Sequence, residues 1–217
     1  MNAIEIIDLS FKYDNNQTEL LKNFNLAVKE GEAVGFSGKS GSGKSTLANI
    51  ICGIIPNLYA GHITGEVFIY NKNLTTMPLC EIVSNIGIIF QNPSTQLFSP
   101  TIEDELAFGP ENMCVDREEI GRRIDEVLKL IGMEQYRYDN PNNLSGGQQQ
   151  LIAIASVLML DPKIIICDEI MSWIDDDKKE IIINLLRDLK NSGKTLIIID
   201  HDLDNLKIID KVIKIGE

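Results

Sequence analysis

Apolar and polar residues alternate along the first 35 positions, which is the pattern of strands with one buried face. IEIIDLSFKY (4–13) and FNLAVKEGEAVGF (24–36) are therefore predicted to form strands broken by polar turns. HITGEVFIYN (62–71) predicts a further strand or hairpin arm. VSNIGIIFQNP (83–93) predicts a short apolar strand that ends at Asn-Pro.

Helical spacing of the apolar residues dominates the middle of the chain. LANIICGIIPNL (47–58) predicts a helix that stops near Pro56, and positions 101 to about 160 are mainly helical in pattern. REEIGRRIDEVLKLIGM (117–133) is amphipathic, and GGQQQLIAIASVLML (146–160) follows a connection rich in Pro and Asn. These helices are predicted to form a subdomain inserted into the rest of the fold.

Strand and helix patterns alternate in the last third of the chain. KIIICDE (163–169) and KTLIIIDHD (194–202) predict strands, and DDDKKEIIINLLRDLKNSG (175–193) predicts a helix with an acidic start and a stop at Gly193. Strands with near-continuous isoleucine runs, joined by a helix, predict a parallel sheet covered on both faces. The fold class is therefore α/β.

The composition is that of a globular protein and narrows the choice of partners. The 217 residues are 44% hydrophobic and 24% charged, and no apolar run approaches the roughly 18 residues that span a bilayer. The net charge of −12 disfavours generic nucleic-acid binding. Four cysteines without a CxxC pair favour a reducing compartment, and the N-terminus shows no secretion signal.

A glycine-rich stretch, GKSGSGKST (38–46), follows a predicted strand and precedes a predicted helix. This is the phosphate-binding P-loop pattern, because glycines let backbone N–H groups surround phosphate oxygens at a helix N-terminus. Lys44 would add a charge for the β- and γ-phosphates, and Ser45 a hydroxyl for Mg²⁺. The alternative is a simple glycine-rich turn. The predicted ATP-binding residues here are Gly38, Lys39, Ser40, Gly41, Ser42, Gly43, Lys44, Ser45 and Thr46.

Two carboxylates end the buried strand IIICDE (164–169). At the ligand edge of a parallel sheet, Asp168 would hold Mg²⁺ and Glu169 would act as general base on a water. The alternative is a solvated strand end.

A second anion-binding pattern is LSGGQ (144–148), which opens a predicted helix. Because the P-loop already provides for the phosphates, this motif is predicted to complete the site of a second subunit in a two-fold dimer. Its residues are Ser145, Gly146, Gly147 and Gln148. The alternative is a loop that only caps the helix.

Taken together, the motifs resemble those of the ATP-binding-cassette (ABC) ATPases, in the family's order and over essentially the whole chain. The resemblance implies a P-loop NTPase fold: a RecA-like, mostly parallel sheet core with an N-terminal antiparallel β subdomain and an inserted α-helical subdomain. The single domain, 1–217, would comprise a core of residues 1–92 and 160–217 and a helical subdomain of residues 93–159. Its implied cofactors are ATP and Mg²⁺.

Further roles come only from that resemblance. Tyr13 matches the aromatic that stacks on adenine, Gln91 the Q-loop glutamine that reaches the metal and the attacking water, and His201 the switch histidine. Each has an ordinary alternative: a strand tyrosine, a turn residue or a structural histidine. Ser172 and Asp175 match the D-loop, in which Trp173 replaces a small residue. The implied catalytic set is Lys44, Gln91, Glu169 and His201, and the implied Mg²⁺ ligands are Ser45, Gln91 and Asp168.

The segment FQNPSTQLFSPTIEDELAFGPEN (90–112) is similar to ATPases of energy-coupling-factor importers. This narrower resemblance implies a homodimer or heterodimer with a second ABC ATPase. The pair would dock on a membrane-embedded scaffold with a substrate-binding subunit, at the cytoplasmic face of a prokaryotic-type membrane. The expected cargo is a vitamin or transition-metal ion. Alternatives are a soluble ABC ATPase of translation or DNA repair, and a poorly hydrolysing partner in a heterodimer.

Overall fold

A computed structural model describes residues 1–14, 18–172, 174, 176–200, 203 and 206–216. Its N-terminal part contains an antiparallel sheet of four strands: β1 (Asn2–Lys12), β2 (Leu21–Lys29), β4 (His62–Ile69) and β5 (Lys72–Asn73). Their order in the sheet is β2-β1-β4-β5. The predicted antiparallel β part is thus present.

A parallel sheet of five strands forms the centre: β3 (Ala33–Ser37), β6 (Ile86–Ile89), β7 (Ile164–Asp168), β8 (Thr195–Ile199) and β9 (Lys211–Lys214). Their order in the sheet is β6-β7-β8-β3-β9. The expected parallel sheet is confirmed. Since all five strands run the same way, their carboxyl ends meet at one edge.

Some of the helices pack against this sheet, and others belong to the middle part of the sequence. They are α1 (Lys44–Ile51), α2 (Ile54–Asn57), α3 (Leu79–Asn85), α4 (Ile102–Asn112), α5 (Arg117–Ile131), α6 (Gly146–Leu158) and α7 (Asp176–Asn191). Residues 93–159 hold α4 to α6 and short 3₁₀ turns, and no strand is assigned in this fully described stretch. The division at residues 92 and 160 stays a prediction.

Both faces of the parallel sheet are buried, as its isoleucine runs predict. On β7, Ile164 and Ile166 belong to the core shared with α1 and the antiparallel sheet. Ile165 and Cys167 point to the opposite core, shared with α4 to α7. Because successive strand residues point to opposite faces, a strand between two cores must be apolar at every position.

The amphipathic helix α5 shows how local signals fix an element. Asp116 caps its N-terminus by accepting the N–H of Glu118, and Gly132 ends it at a φ of 67°. The residues buried along one face are Ile120, Ile124, Val127, Leu128 and Ile131. The other face carries ion pairs of Arg122 with Glu119 and Glu126.

Three details differ from the sequence prediction. The helix expected over residues 47–58 is broken after Ile51 into α1 and α2, with Gly53 as the N-cap of α2 at a φ of 70°. The strand expected over residues 83–93 is only Ile86–Ile89, because residues 83–85 form the last turn of α3. The third is β9, which was not predicted. Its four residues alternate between half-buried and exposed, and only pairing with β3 at the sheet edge makes them a strand.

Candidate functional site

The loop Gly38–Gly43 lies between β3 and α1, at the carboxyl edge of the parallel sheet. Gly38 has a φ of 149°, and a Cβ there would lie 2.5 Å from the carbonyl oxygen of Ile215. Gly43 is the N-cap of α1 with a φ of 101°. A side chain at Gly38 would therefore collide with the chain just beyond β9, which explains one of the glycines in the motif.

The ammonium group of Lys44 lies inside this loop. Lys44 is only 5% exposed, and its Nζ donates to the carbonyl oxygens of Gly38 at 2.9 Å and Lys39 at 3.1 Å. A buried ammonium needs such acceptors, since an unpaired charge is costly away from water. The charge is thus held at the centre of a loop of the kind that binds anions through its backbone N–H groups.

Asp168 ends β7 beside the start of α1. It is 9% exposed, and its Oδ1 has no hydrogen-bond partner among the described residues. The pKa of the Asp168 carboxyl is raised above its ordinary value, mainly because the group is buried and also because Glu169 is negatively charged. The hydrogen bond from Ser45 and the charge of Lys44 lower this pKa, but only in part. The buried Oδ1 of Asp168, which accepts no hydrogen bond from the described residues, and the hydroxyl of Ser45 are oxygen ligands of the kind that a hard divalent cation prefers.

Glu169 meets Gln91 although 78 residues separate them. The side-chain Nε2 of Gln91 donates to Oε2 of Glu169 at 2.8 Å. Glu169 has a φ of 50°, and its N–H donates to the carbonyl oxygen of Ile199 at 2.8 Å. A left-handed conformation is uncommon for glutamate and costs free energy, so the neighbouring strand holds this carboxylate in a specific place.

A cavity of about 440 Å³ brings together Lys44, Gln91 and Glu169, whereas Gly38 and Asp168 are not among its lining residues. Its size falls in the usual range for small-molecule sites. At its side, the Tyr13 hydroxyl lies 3.0 Å from Oγ1 of Thr46, and the Tyr13 ring packs edge-on against Phe11. The residues lining the cavity are Tyr13, Leu20, Ser40, Gly41, Gly43, Lys44, Ser45, Thr46, Gln91 and Glu169.

The Ser145–Gln148 motif lies elsewhere in the chain's own fold, at the start of α6. Ser145 and Gln148 form a capping box: Oγ of Ser145 accepts the N–H of Gln148, and Oε1 of Gln148 accepts the N–H of Ser145 at 3.0 Å. Ser145 and Gly146 are exposed, and Gly147 is buried. None of these residues lines the cavity at the P-loop.

Of the predicted D-loop and switch residues, only Ser172 is described. It is exposed, and its N–H donates to the carbonyl oxygen of Glu169 at 3.2 Å. Trp173, Asp175 and His201 lie outside the described residues.

Three residues near the site were not predicted from the sequence. Leu20 forms an apolar wall of the cavity, and a Cβ on Gly43 would approach its side chain to 3.2 Å. Gln96 and Gln150 hydrogen-bond the backbone of Phe90, directly before Gln91. A lone leucine and scattered glutamines carry no sequence signal for such positions.

The chain belongs to the ABC transporter family, whose pattern matches residues 21–172. Proteins of this class are P-loop ATPases, and the cavity described above is the expected place for ATP or ADP. Among the described residues, no helix combines the length and apolar character needed to cross a bilayer.

Curated relatives and solved structures agree with this class. The chain is 41% identical to energy-coupling factor transporter ATP-binding protein EcfA1 of Ligilactobacillus salivarius, over its whole length and 75% of that protein. It is also 41% identical, over 97% of its length, to a putative ABC transporter ATP-binding protein of Methanosarcina acetivorans, but it spans only 33% of that longer protein.

Two solved structures are similar over 99% of the chain. CbiO1 from Clostridium perfringens, part of the ABC transporter complex cbiONQ, superposes with a TM-score of 0.86 at 32% identity, with 86% of that chain covered. A dimeric post-hydrolysis state of the cassette MJ0796, bound to ADP and Pi, gives a TM-score of 0.82 at 33% identity, with 95% covered.

Proposed function

We propose that this chain is the ATP-binding and ATP-hydrolysing subunit of an energy-coupling-factor importer that takes up a vitamin or transition-metal ion. The observation that carries the proposal is one cavity in which the P-loop, Tyr13, Gln91 and Glu169 meet. Such a cavity offers an anion cradle, an aromatic face and a general base to a single nucleotide.

The phosphates of ATP are assigned to the loop 38–46. Backbone N–H groups of the loop and the N-terminus of α1 would bind phosphate oxygens, and Nζ of Lys44 would exchange its two carbonyl acceptors for the β- and γ-phosphates. The base of the nucleotide would stack on Tyr13, which Phe11 and Thr46 already hold in place.

The residues present fit Mg²⁺. Ser45, Gln91 and Asp168 would hold it, and the ion would neutralise charge on the phosphates. Oδ1 of Asp168 is a buried oxygen that still needs a partner, and Ser45 is exposed beside it. The chain's own part in hydrolysis is to orient a water beside the Gln91–Glu169 pair. The Glu169 carboxylate would take a proton from this water as its oxygen attacks the γ-phosphorus and ADP leaves.

Each chain holds only part of this centre. Since the Ser145–Gln148 motif does not line the chain's own cavity, we assign it to the nucleotide of a second ABC ATPase, identical or related. The D-loop residues Ser172 and Asp175 would lie between the two subunits, and His201 would contact the γ-phosphate.

The importer assignment draws on the named relatives and on residues 90–112. Within that segment Phe98 and Phe108 are 64% and 48% exposed, and their rings contact edge-to-face at 4.8 Å. The buried carboxylate of Glu105 fixes the loop by accepting the N–H groups of Phe98 and Ser99. We propose that this aromatic pair contacts a membrane-embedded scaffold protein at the cytoplasmic face of the membrane. A separate substrate-binding membrane subunit would join the same scaffold.

The enzymatic half is tested with Glu169→Gln, which should bind ATP and accumulate as a closed dimer in gel filtration because the water lacks its base. The matched control, Glu169→Gln combined with Lys44→Ala, should stay monomeric with ATP. Hydrolysis at the wild-type rate in Glu169→Gln would contradict the role of Glu169.

The transport half is tested by purifying the tagged chain from membranes. A polytopic scaffold and a small membrane protein should co-purify, and Phe98→Ala with Phe108→Ala should lose both while ATP-dependent dimerisation persists. Tyr138→Ala, which removes another exposed aromatic ring, is the control and should retain them. Recovery with ribosomes or nucleic acid would refute the importer assignment.

A further inference from the structure

Phe90 is held on both sides of its backbone by glutamine side chains. It follows β6 and directly precedes Gln91. Its N–H donates to Oε1 of Gln96 at 3.2 Å, and its carbonyl oxygen accepts Nε2 of Gln150 at 3.3 Å. The chain therefore passes from β6 to Gln91 through a residue whose backbone N–H and carbonyl both hydrogen-bond side chains.

Gln150 occupies an unfavourable place for an amide. It is 0% exposed, and its Oε1 has no hydrogen-bond partner among the described residues. The amide orientation follows from chemistry, because only the NH₂ group can face a carbonyl oxygen. An apolar side chain of similar volume would not bury an unpaired oxygen. The reason for an amide at this position is therefore its hydrogen bond to the Phe90 carbonyl.

This bond lies on a short path between two parts of the proposed reaction centre. Gln150 sits on α6, little more than one turn after its N-cap Ser145. From Gln150 the path runs through the Phe90 carbonyl to Gln91, whose Nε2 reaches Glu169 at 2.8 Å. A helix is stiff over one turn, so a displacement at its N-terminus moves Gln150 as well.

We propose that Gln150 is a positioning residue that makes the placement of Gln91 on Glu169 depend on the position of α6. The inference rests on the proposed function, in which the α6 N-terminus meets the nucleotide of a second subunit. A phosphate bound there in one site would thereby adjust the water-orienting pair in the other.

The test compares Gln150→Met with a matched control on the same helix. Gln149 also donates its amide to a backbone carbonyl, but to that of Pro141 at 3.1 Å rather than to that of Phe90. In the full chain, Gln150→Met should lower kcat for ATP hydrolysis about tenfold, with KM changed less than about threefold. Gln149→Met should keep kcat within about twofold.

A double-mutant comparison of kcat with Gln91 distinguishes a positioning role of Gln150 from a general loss of structure. Gln91→Ala should lower kcat in the wild-type background but add little to Gln150→Met, because both act on one contact. Losses that multiply, or an unchanged kcat in Gln150→Met, would overturn the proposal.

A second variant keeps the test decisive if Gln150→Met proves unstable by thermal denaturation. In Gln150→Glu, the ionised carboxylate would repel the Phe90 carbonyl, whereas the protonated acid would donate to it. Burial raises a carboxyl pKa, so the kcat of Gln150→Glu relative to wild type should rise as the pH is lowered from about 8 to about 6. A flat ratio would refute the inference. Failure of the wild-type dimer to hydrolyse ATP would instead count against the proposed function.

Discussion

Asp168→Asn should stabilise the nucleotide-free protein while removing its Mg²⁺-dependent ATPase activity. The wild-type carboxylate is 9% exposed, its Oδ1 lacks a partner among the described residues, and burial raises its pKa. Folding therefore desolvates a charge that Ser45 and Lys44 compensate only in part. Asparagine has nearly the same shape and carries no charge.

The expected size follows from the unmet hydrogen bond. An unsatisfied buried polar atom costs about 1–3 kcal/mol. Asparagine still buries an amide, so the net gain should lie near the low end, about 1 kcal/mol. For a chain of 217 residues, each kcal/mol corresponds to about 2–4 °C in Tm. We expect a rise in Tm of that order.

The pH dependence gives a sharper check. A raised pKa in the folded state means that the folded protein binds more protons than the unfolded one between the two pKa values. Stability therefore falls as the pH rises through that window, and the penalty is complete above the folded pKa. The Tm advantage of Asp168→Asn should be largest near neutral pH and should shrink as the pH falls toward the ordinary aspartate value of 3.8.

The assay is thermal denaturation in EDTA over this pH range, with ATPase activity measured in parallel. Asp139→Asn, at an exposed carboxylate, is the control and should leave Tm nearly unchanged. A lower Tm for Asp168→Asn at neutral pH, or a gain that persists undiminished in acid, would refute this reasoning.

Further predictions concern the nucleotide cavity. Lys44→Ala should abolish tight ATP binding in a fluorescent-nucleotide assay, because it removes the buried ammonium; unchanged affinity would contradict the phosphate role. Tyr13→Ala should weaken ATP binding roughly 5- to 150-fold, which corresponds to about 1–3 kcal/mol of stacking free energy. Tyr13→Phe should weaken ATP binding less than about threefold, because it loses only the hydrogen bond to Thr46. Gly38→Ala should lower both Tm and ATP affinity, because its Cβ would collide with the Ile215 carbonyl. At Gly41 a Cβ would meet no atom within 4 Å, so Gly41→Ala should lower the stability by only about 1–2 kcal/mol, through backbone strain. Equal effects of the two glycine changes would argue against the steric explanation.

Short-range signals explain why most elements were predictable. The isoleucine run of β7 needs two apolar faces, and Asp116 and Gly132 mark the ends of α5 by side-chain and backbone chemistry. The strand prediction for residues 83–85 was wrong because this stretch, Val-Ser-Asn, is too short to show either a strand or a helix period. In the structure these residues continue α3.

The sheet type, the P-loop and the acidic strand end could all be predicted from the residue pattern, because each depends on residues that are close along the chain. The folded chain alone shows which distant groups meet: Gln91 lies 2.8 Å from Glu169, and Gln150 hydrogen-bonds Phe90. The positive φ of Glu169, the burial of Asp168 and the edge strand β9 also depend on neighbouring strands. Strand order and long-range hydrogen-bond partners arise from contacts between residues that are far apart in the sequence, and no local pattern encodes them.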